Sequence, residues 1–253
     1  MLITIFFYGI AASSILMLLM DQSRSQMGNE FLKNIFDFGK FLDQPSFMRV
    51  PKKYFYHFYV CSIISSLYII YENHSRLNVP YLIFWFLLMI NGLRRLYECL
   101  YVNIDSNNGM NLSHYLLGII FYLFLNISGR ELLVEKTKFN LLWAPLVIYL
   151  NLFAQYYAHR CMKDLRLTRL VNNSHGYCQP RGEMFQKFTS PHFLLEILIY
   201  MNFIFFGFLN GLSSQSALYA ISIFAIINQS IVIFMTRKYY KKKYPDWVEK
   251  CYI

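Results

Sequence analysis

An all-α fold, a polytopic membrane bundle of seven transmembrane helices, is the class this sequence predicts, and three observations predict it. The 253 residues are 56% hydrophobic and 19% aromatic but only 15% charged, against roughly 45–50% apolar and about 25% charged in an average soluble domain. The apolar residues stand in long blocks, close to the roughly 20 that a helix needs to cross the hydrocarbon core. The basic residues gather in alternate connecting segments. The same composition excludes disordered, collagenous, coiled-coil and disulfide-scaffold chains.

Taken in order, residues 2–20 carry no charge. They lack a basic leader and a small-x-small cleavage pattern, so they read as a retained first helix and not as a signal sequence. Residues 54–71 form the second segment. Residues 79–93 are short as an apolar run but continue into the helix-compatible LRRLYECLYV (93–102). Residues 111–128 and 139–158 are the fourth and fifth. The sixth, residues 193–212, carries one acid, and the seventh is residues 216–235. With these spans, segments 21–53, 94–110, 159–192 and 236–253 hold 20 of the 24 Lys and Arg, and the alternate segments hold the other four. Positive charge marks the cytoplasmic side, so the N-terminus is expected to be lumenal and the C-terminus cytoplasmic. The net charge of +10 then mostly reflects topology, and KYYKKKY (238–244) reads as an anchor beside anionic lipid. No repeat, low-complexity tract or domain boundary interrupts the chain, which is read as a single domain, 1–253. The five cysteines have no paired, zinc-binding or redox spacing, and no metal site is expected. A sequon, Asn73-His74-Ser75, falls in a short loop beside the membrane.

Ionisable groups inside membrane segments are costly and usually face a partner or a cavity. Four places stand out. In LRRLYECLYV, helical spacing puts Glu98 on the face of Arg94 and Arg95. Arg before Glu is the weaker order for a solvated pair, which points to partners elsewhere, either as snorkelling arginines or as a cradle for an anion. In QYYAHRCMKDLR (155–166), Gln155, His159 and Arg166 share one helical stripe that suits a phosphate-bearing ligand. In GYCQPRGEMFQKFTSPHFLLEILIY (176–200), a Gly- and Pro-rich loop leads through Ser190-Pro191 into a helix. There Glu196 follows His192 by four residues, as a structural pair or a ligand clamp. The tail TRKYYKKKYPDW (236–247) puts Arg237 and Tyr240 just past the last segment, as an interfacial belt or as one wall of a nucleotide site. All four lie on one expected side. With no Gly-x-Gly-x-x-Gly and no Walker loop, a nucleotide there needs a non-Rossmann arrangement.

RVPKKYFYHFY (49–59), LRRLYECLYV, the Gln155–Arg166 stripe, FTSPHFLLEILIY (188–200) and the NQ…YYKKKYP tail occur in this order and spacing. Together they resemble the steroid 5-alpha-reductase family, in its polyprenol (polyprenal) reductase branch, over about residues 49–244. The resemblance implies an NADPH-dependent, multi-pass reductase of the endoplasmic reticulum membrane. Its substrate would be a long-chain polyprenoid held among membrane lipid, with no nucleic acid or metal partner. The reaction saturates the α-isoprene double bond of polyprenal or polyprenol to give dolichal or dolichol, the lipid carrier for protein N-glycosylation. Chemistry favours the aldehyde, because hydride adds readily to the β carbon of an enal when charge can move onto the oxygen. The cofactor positions that the resemblance carries over are Arg95, Gln155, His159, Arg166, Tyr177, His192, Glu196 and Tyr240. The steroid branch has Asn, Asp and Asn at the places of Gln155, His159 and His192. The Glu and Tyr with which it holds the ketone fall near Asp43 and on Gly92. For the oxygen-holding group this leaves Asp43, Tyr97, Glu98 and Tyr54, with His57 beside them. A polyprenyl tail is expected against the aromatic faces of spans two, three and six, in a cavity with a lateral opening.

Other readings share this topology. A seven-span receptor fits it, but the polar groups gather on the wrong side. A transporter would show repeated halves, and a membrane methyltransferase would bind S-adenosylmethionine. A steroid or long-chain enoyl reductase of the same fold is the closest alternative.

Overall fold

The structure is a computed structural model and describes residues 1–22, 49–102, 109–134, 141–172 and 178–252. Seven long helices make up these segments: α1 (Leu2–Gln22), α2 (Tyr56–Glu72), α3 (Val79–Tyr97), α4 (Leu112–Ser128), α5 (Ala144–Val171), α6 (Pro191–Leu209) and α7 (Ala217–Lys243). Local chemistry sets their starts. The side chains of Asn78, Asn111 and Ser216 accept from the amides of Tyr81, Ser113 and Leu218, and proline stands in the first turn of α3, α5 and α6. The continuation expected beyond residue 93 is present: α3 runs to Tyr97 and closes with a π-helical turn, Glu98–Val102.

Among the described residues, five helical stretches are long and apolar enough to cross a membrane: Lys52–Glu72, Val79–Val102, Leu112–Leu133, Pro191–Leu209 and Ala217–Lys243. Within α1, Leu2–Leu16 is a further apolar stretch. The fifth expected span lies in α5, whose second half, from His159 onward, is rich in charge. Among the described residues the molecule is thus all-α with five candidate membrane spans, beside the seven segments that apolar block length predicts.

Helix α6 packs between α5 and α7, α1 lies on α7, and α2 lies on α3 and α4. Phe7, Phe84, Leu87, Leu125, Ile199, Phe203 and Leu218 are fully buried between them. Short polar residues join the helices where lipid offers no hydrogen bonds. Gln155 Nε2 donates to Asn151 Oδ1 (2.6 Å) and to the Leu87 carbonyl (3.3 Å), and Asn151 Nδ2 donates to Asn202 (3.2 Å). Ser66 bonds Asn126 across α2 and α4. Ile64, Leu67, Phe86, Leu116, Leu150 and Phe208 point outward, as a lipid-facing surface requires.

Alternating helix directions give the bundle two ends. At one end Thr4 Oγ1 donates to the Gln215 carbonyl (3.1 Å), Asn78 donates to the Leu132 carbonyl (2.7 Å), and Glu131 accepts from Ser216 and from the Ala217 amide. At the other end a short antiparallel ribbon, β1 (Arg49–Pro51) with β2 (Gly109–Asn111), pairs Val50 with Met110 and ties the approach of α2 to the start of α4. Met110, Phe58 and Tyr59 form a second small core beneath it. The site lies at this end.

Candidate active site

A cavity of about 420 Å³ runs from this end into the bundle. Lys52 and Lys53 before α2, Arg169 near the end of α5, Thr189 and Ser190 before α6, and Tyr240 near the end of α7 line its mouth. Phe121, Tyr122, Tyr200 and Phe224 line its depth. On α7 the lining runs from Thr236 back to Phe224, roughly 18 Å at 1.5 Å per residue. The aromatic walls come from α2, α4, α6 and α7. Helix α3 and its π-helical turn contribute Arg94, Arg95 and Cys99, so of the three spans expected to meet the tail, the third supplies charge and no aromatic face.

Four charges form a closed set on that wall. Glu98, fully buried, starts the π-helical turn, where its amide meets the carbonyls of both Arg94 and Arg95. Its carboxylate accepts from Arg94 Nη1 at 2.9 Å, Arg95 Nη1 at 2.7 Å and His159 Nδ1 at 3.1 Å. Arg94 Nη2 also donates to Glu196 Oε1 at 2.7 Å and to Asn91 Oδ1 at 2.9 Å. Arg95 Nε donates to the Tyr59 hydroxyl at 3.1 Å and lies 3.8 Å from Glu196, with its guanidinium 5.3 Å from the Tyr59 ring centre. The weaker i,i+4 order does not stop Arg94 from pairing with Glu98, and Glu196 is the partner from elsewhere that the order pointed to. Each buried charge has an opposite within reach, the condition for keeping ions in an apolar bundle.

The predicted residues separate by position. Arg95, His192, Glu196 and Tyr240 line the cavity. Glu98 sits behind Arg94 and Arg95, with no face on it. Tyr97 is half exposed and packs on Tyr101 and His159. Gln155 is locked between helices, His159 turns to Glu98, and Arg166 is exposed; none of the three lines the cavity. The α5 face that does line it runs through Ala158, Met162, Leu165, Thr168 and Arg169, about 100° around the helix from the predicted stripe. His57 Nδ1 meets the Tyr115 hydroxyl at 2.8 Å and stacks on Tyr54, a structural arrangement. Gly92 is buried, and a Cβ there would lie 3.3 Å from Ile63. Asp43 and Tyr177 lie outside the described residues.

Sequence reasoning missed Arg169, Tyr59, Tyr122 and Tyr200, and gave no role to Ser190, Asn228 or Gln229, all on the cavity wall. The Asn228-Gln229 pair in an apolar span was a usable signal. The tyrosines, three among 21, were not.

The lip of the mouth is held from both sides. Arg181 N donates to Thr168 Oγ1 (3.0 Å). Gly182 has φ +140°, and a Cβ there would fall 2.3 Å from Asp164 Oδ2, so only glycine lets this loop lie on α5. Burial pushes the Asp164 carboxyl above its usual range, against the pull of Arg160. From the other side Trp247 Nε1 donates to the Phe185 carbonyl (3.0 Å), Tyr252 N to the Lys187 carbonyl (2.8 Å), and Arg237 to the Cys251 carbonyl (3.4 Å).

The mouth suits a phosphate-bearing ligand. Ser190 Oγ is buried, faces the cavity and has no hydrogen-bond partner among the described residues. It precedes the first turn of the 19-residue α6, with Arg169, Lys52 and Lys53 around the same opening, a combination that favours an anion. Deeper, the Glu196 carboxylate offers acceptors for amide or hydroxyl donors.

A lipid-facing bundle with a cationic mouth and an aromatic depth has the architecture of a membrane enzyme. The chain belongs to the 3-oxo-5-alpha-steroid 4-dehydrogenase family, whose profile matches residues 110–251. It is similar to the polyprenal reductase of Saccharomyces cerevisiae, 34% identical over 203 residues that cover 78% of this chain and 70% of that protein. It is similar also to the polyprenal reductases of Xenopus laevis (24% over 279 residues, 90% and 85% covered) and Homo sapiens (25% over 245 residues, 78% and 74% covered). The chain is a reductase acting on a CH–CH group.

Proposed function

We propose that this chain uses NADPH to reduce the α-isoprene double bond of a polyprenal, giving the dolichal that leads to dolichol for N-glycosylation. The enzyme would cross the endoplasmic reticulum membrane seven times, N-terminus lumenal, with the cavity mouth open to cytoplasmic NADPH. The observation that carries the reading is the polarity of one continuous cavity: Arg169, Lys52 and Ser190 at the mouth, Arg94, Arg95 and Glu196 midway, Phe121, Tyr200 and Phe224 at the end. The names of the relatives support the substrate.

Arg169, Lys52 and Ser190 would hold the phosphates, and Glu196 would accept from the cofactor's amide or ribose donors. Bound there, NADPH supplies a hydride. The chain's own part is to orient the two ligands, exclude water with the aromatic wall, and stabilise charge on the aldehyde oxygen.

The test is turnover of the purified protein in detergent with lipid, given NADPH and either polyprenal or polyprenol, with the saturated product followed by mass spectrometry. Polyprenal is expected to be consumed one-for-one with NADPH. Turnover of polyprenol alone would overturn the aldehyde assignment, and no NADPH oxidation with either would overturn the reading as a whole.

A further inference from the structure

Three tyrosines from three helices meet in the deep half of the cavity. Tyr59 on α2, Tyr122 on α4 and Tyr200 on α6 all border it. The Tyr59 oxygen accepts from Arg95 Nε at 3.1 Å. Its ring stands edge-on to that of Tyr122, with centroids 5.3 Å apart. The Tyr122 hydroxyl lies within hydrogen-bonding reach of both Tyr59 and Tyr200. Tyr59 and Tyr200 are only 4% and 3% exposed, so bulk water does not compete for these hydroxyls. Beyond Tyr200 the surroundings are aromatic, with Phe121 at 5.8 Å and Phe203 at 6.2 Å between ring centres.

A phenol oxygen that accepts from a guanidinium sends its own proton onward, and each link polarises the next. The order Arg95, Tyr59, Tyr122, Tyr200 therefore carries the influence of a fixed cation from the charged set to the apolar end of the cavity. Glu98, bonded to Arg95 Nη1 at 2.7 Å, holds the head of the chain in place.

We infer that Tyr200, the last hydroxyl of this chain, donates a hydrogen bond to the carbonyl oxygen of the enal, with Tyr59 and Tyr122 as positioning residues that aim and polarise it. The inference rests on the polyprenal reading above. As hydride joins the β carbon, the carbon–carbon π pair moves to form a double bond between the α and carbonyl carbons. The carbonyl π pair moves onto oxygen, and there it meets the Tyr200 hydroxyl. The resulting enolate then takes a proton at the α carbon, delivered from solvent through the cavity mouth once the hydride has transferred, which leaves the saturated aldehyde. Reduction of the enal is balanced by oxidation of NADPH to NADP⁺.

Y200F removes the hydroxyl and keeps the ring. It is expected to lower kcat with polyprenal about 100-fold, the scale of losing one oxyanion donor, with NADPH affinity, titrated by protein fluorescence, within about twofold of wild type. Y122F, which cuts the chain in the middle, is expected to lower kcat about tenfold with KM for polyprenal unchanged. A Y200F enzyme with kcat within about threefold of wild type overturns the inference, as does a loss of NADPH affinity that matches the loss of kcat. Should Y200F fail to fold, Y122F decides: wild-type kcat there breaks the chain as a catalytic device. If wild-type protein does not oxidise NADPH with polyprenal, the functional reading falls and takes this inference with it. An active wild type with an unaffected Y200F sinks the inference alone.

Discussion

Both ends of the bundle carry glutamates and arginines, and they handle them differently. Beside the α6–α7 turn, Arg130 and Glu72 meet at 3.0 Å with each side chain 41% exposed, and Glu131 accepts from Ser216 and from the Ala217 amide at the start of α7. At the cavity end Glu98 is fully buried, Arg94 is 8% exposed and Glu196 11%. In the first setting water screens the charges, and they do what helix ends ordinarily need. In the second, the charges are largely removed from water and survive because an opposite charge touches each. Buried titratable groups kept at that cost and lining a cavity are where function is sought. The contrast teaches that charge at a helix end of a membrane protein has no fixed meaning until its exposure is known.

The strongest way to break the comparison is E98A. It leaves Arg94, Arg95 and His159 around an absent carboxylate, and a loss of about 3–5 kcal/mol is expected, read as a large drop in Tm in detergent. Wild-type Tm in this variant would mean that the closed set contributes nothing to stability. A sharper cut separates two arginines on one helix. R169A, at the mouth, should raise KM for NADPH about tenfold and that for NADH less, whereas exposed R166A should leave both within about twofold. The reverse result would put the predicted stripe of α5, and not its neighbour, on the cofactor. The smallest effect belongs to the other end. R130A should cost at most about 1 kcal/mol and leave NADPH turnover unchanged, and a Tm loss like that of E98A would erase the difference between the ends.

Much of this was legible in the sequence, for identifiable reasons. Apolar block length marked the seven helical segments. The i,i+4 spacing of Arg94 and Glu98 and the lone acid of an apolar segment, Glu196, marked the charged set. What stayed hidden is set by tertiary contact. Spacing told that Gln155, His159 and Arg166 share a face of α5, but not which face meets the cavity; packing against α3 and α6 turned the next one inward. Spacing also did not show that Arg94 on α3 would pair with Glu196 on α6, or that three tyrosines would border one cavity. In α5 the apolar stretch gives way to charge beyond Ala158 although the helix continues to Val171, so block length there did not mark where the helix ends.

The Arg94–Glu196 pair also imposes an order of events on biosynthesis. The two residues are 102 positions apart. At 5–20 residues per second, roughly 5 to 20 s separate the emergence of α3 from that of its partner on α6. During that interval Glu98 alone offsets Arg94 and Arg95, which leaves one unpaired positive charge in this set. The arrival of α6 neutralises it. The ion pair thus joins one of the early helices of the chain to one of the last.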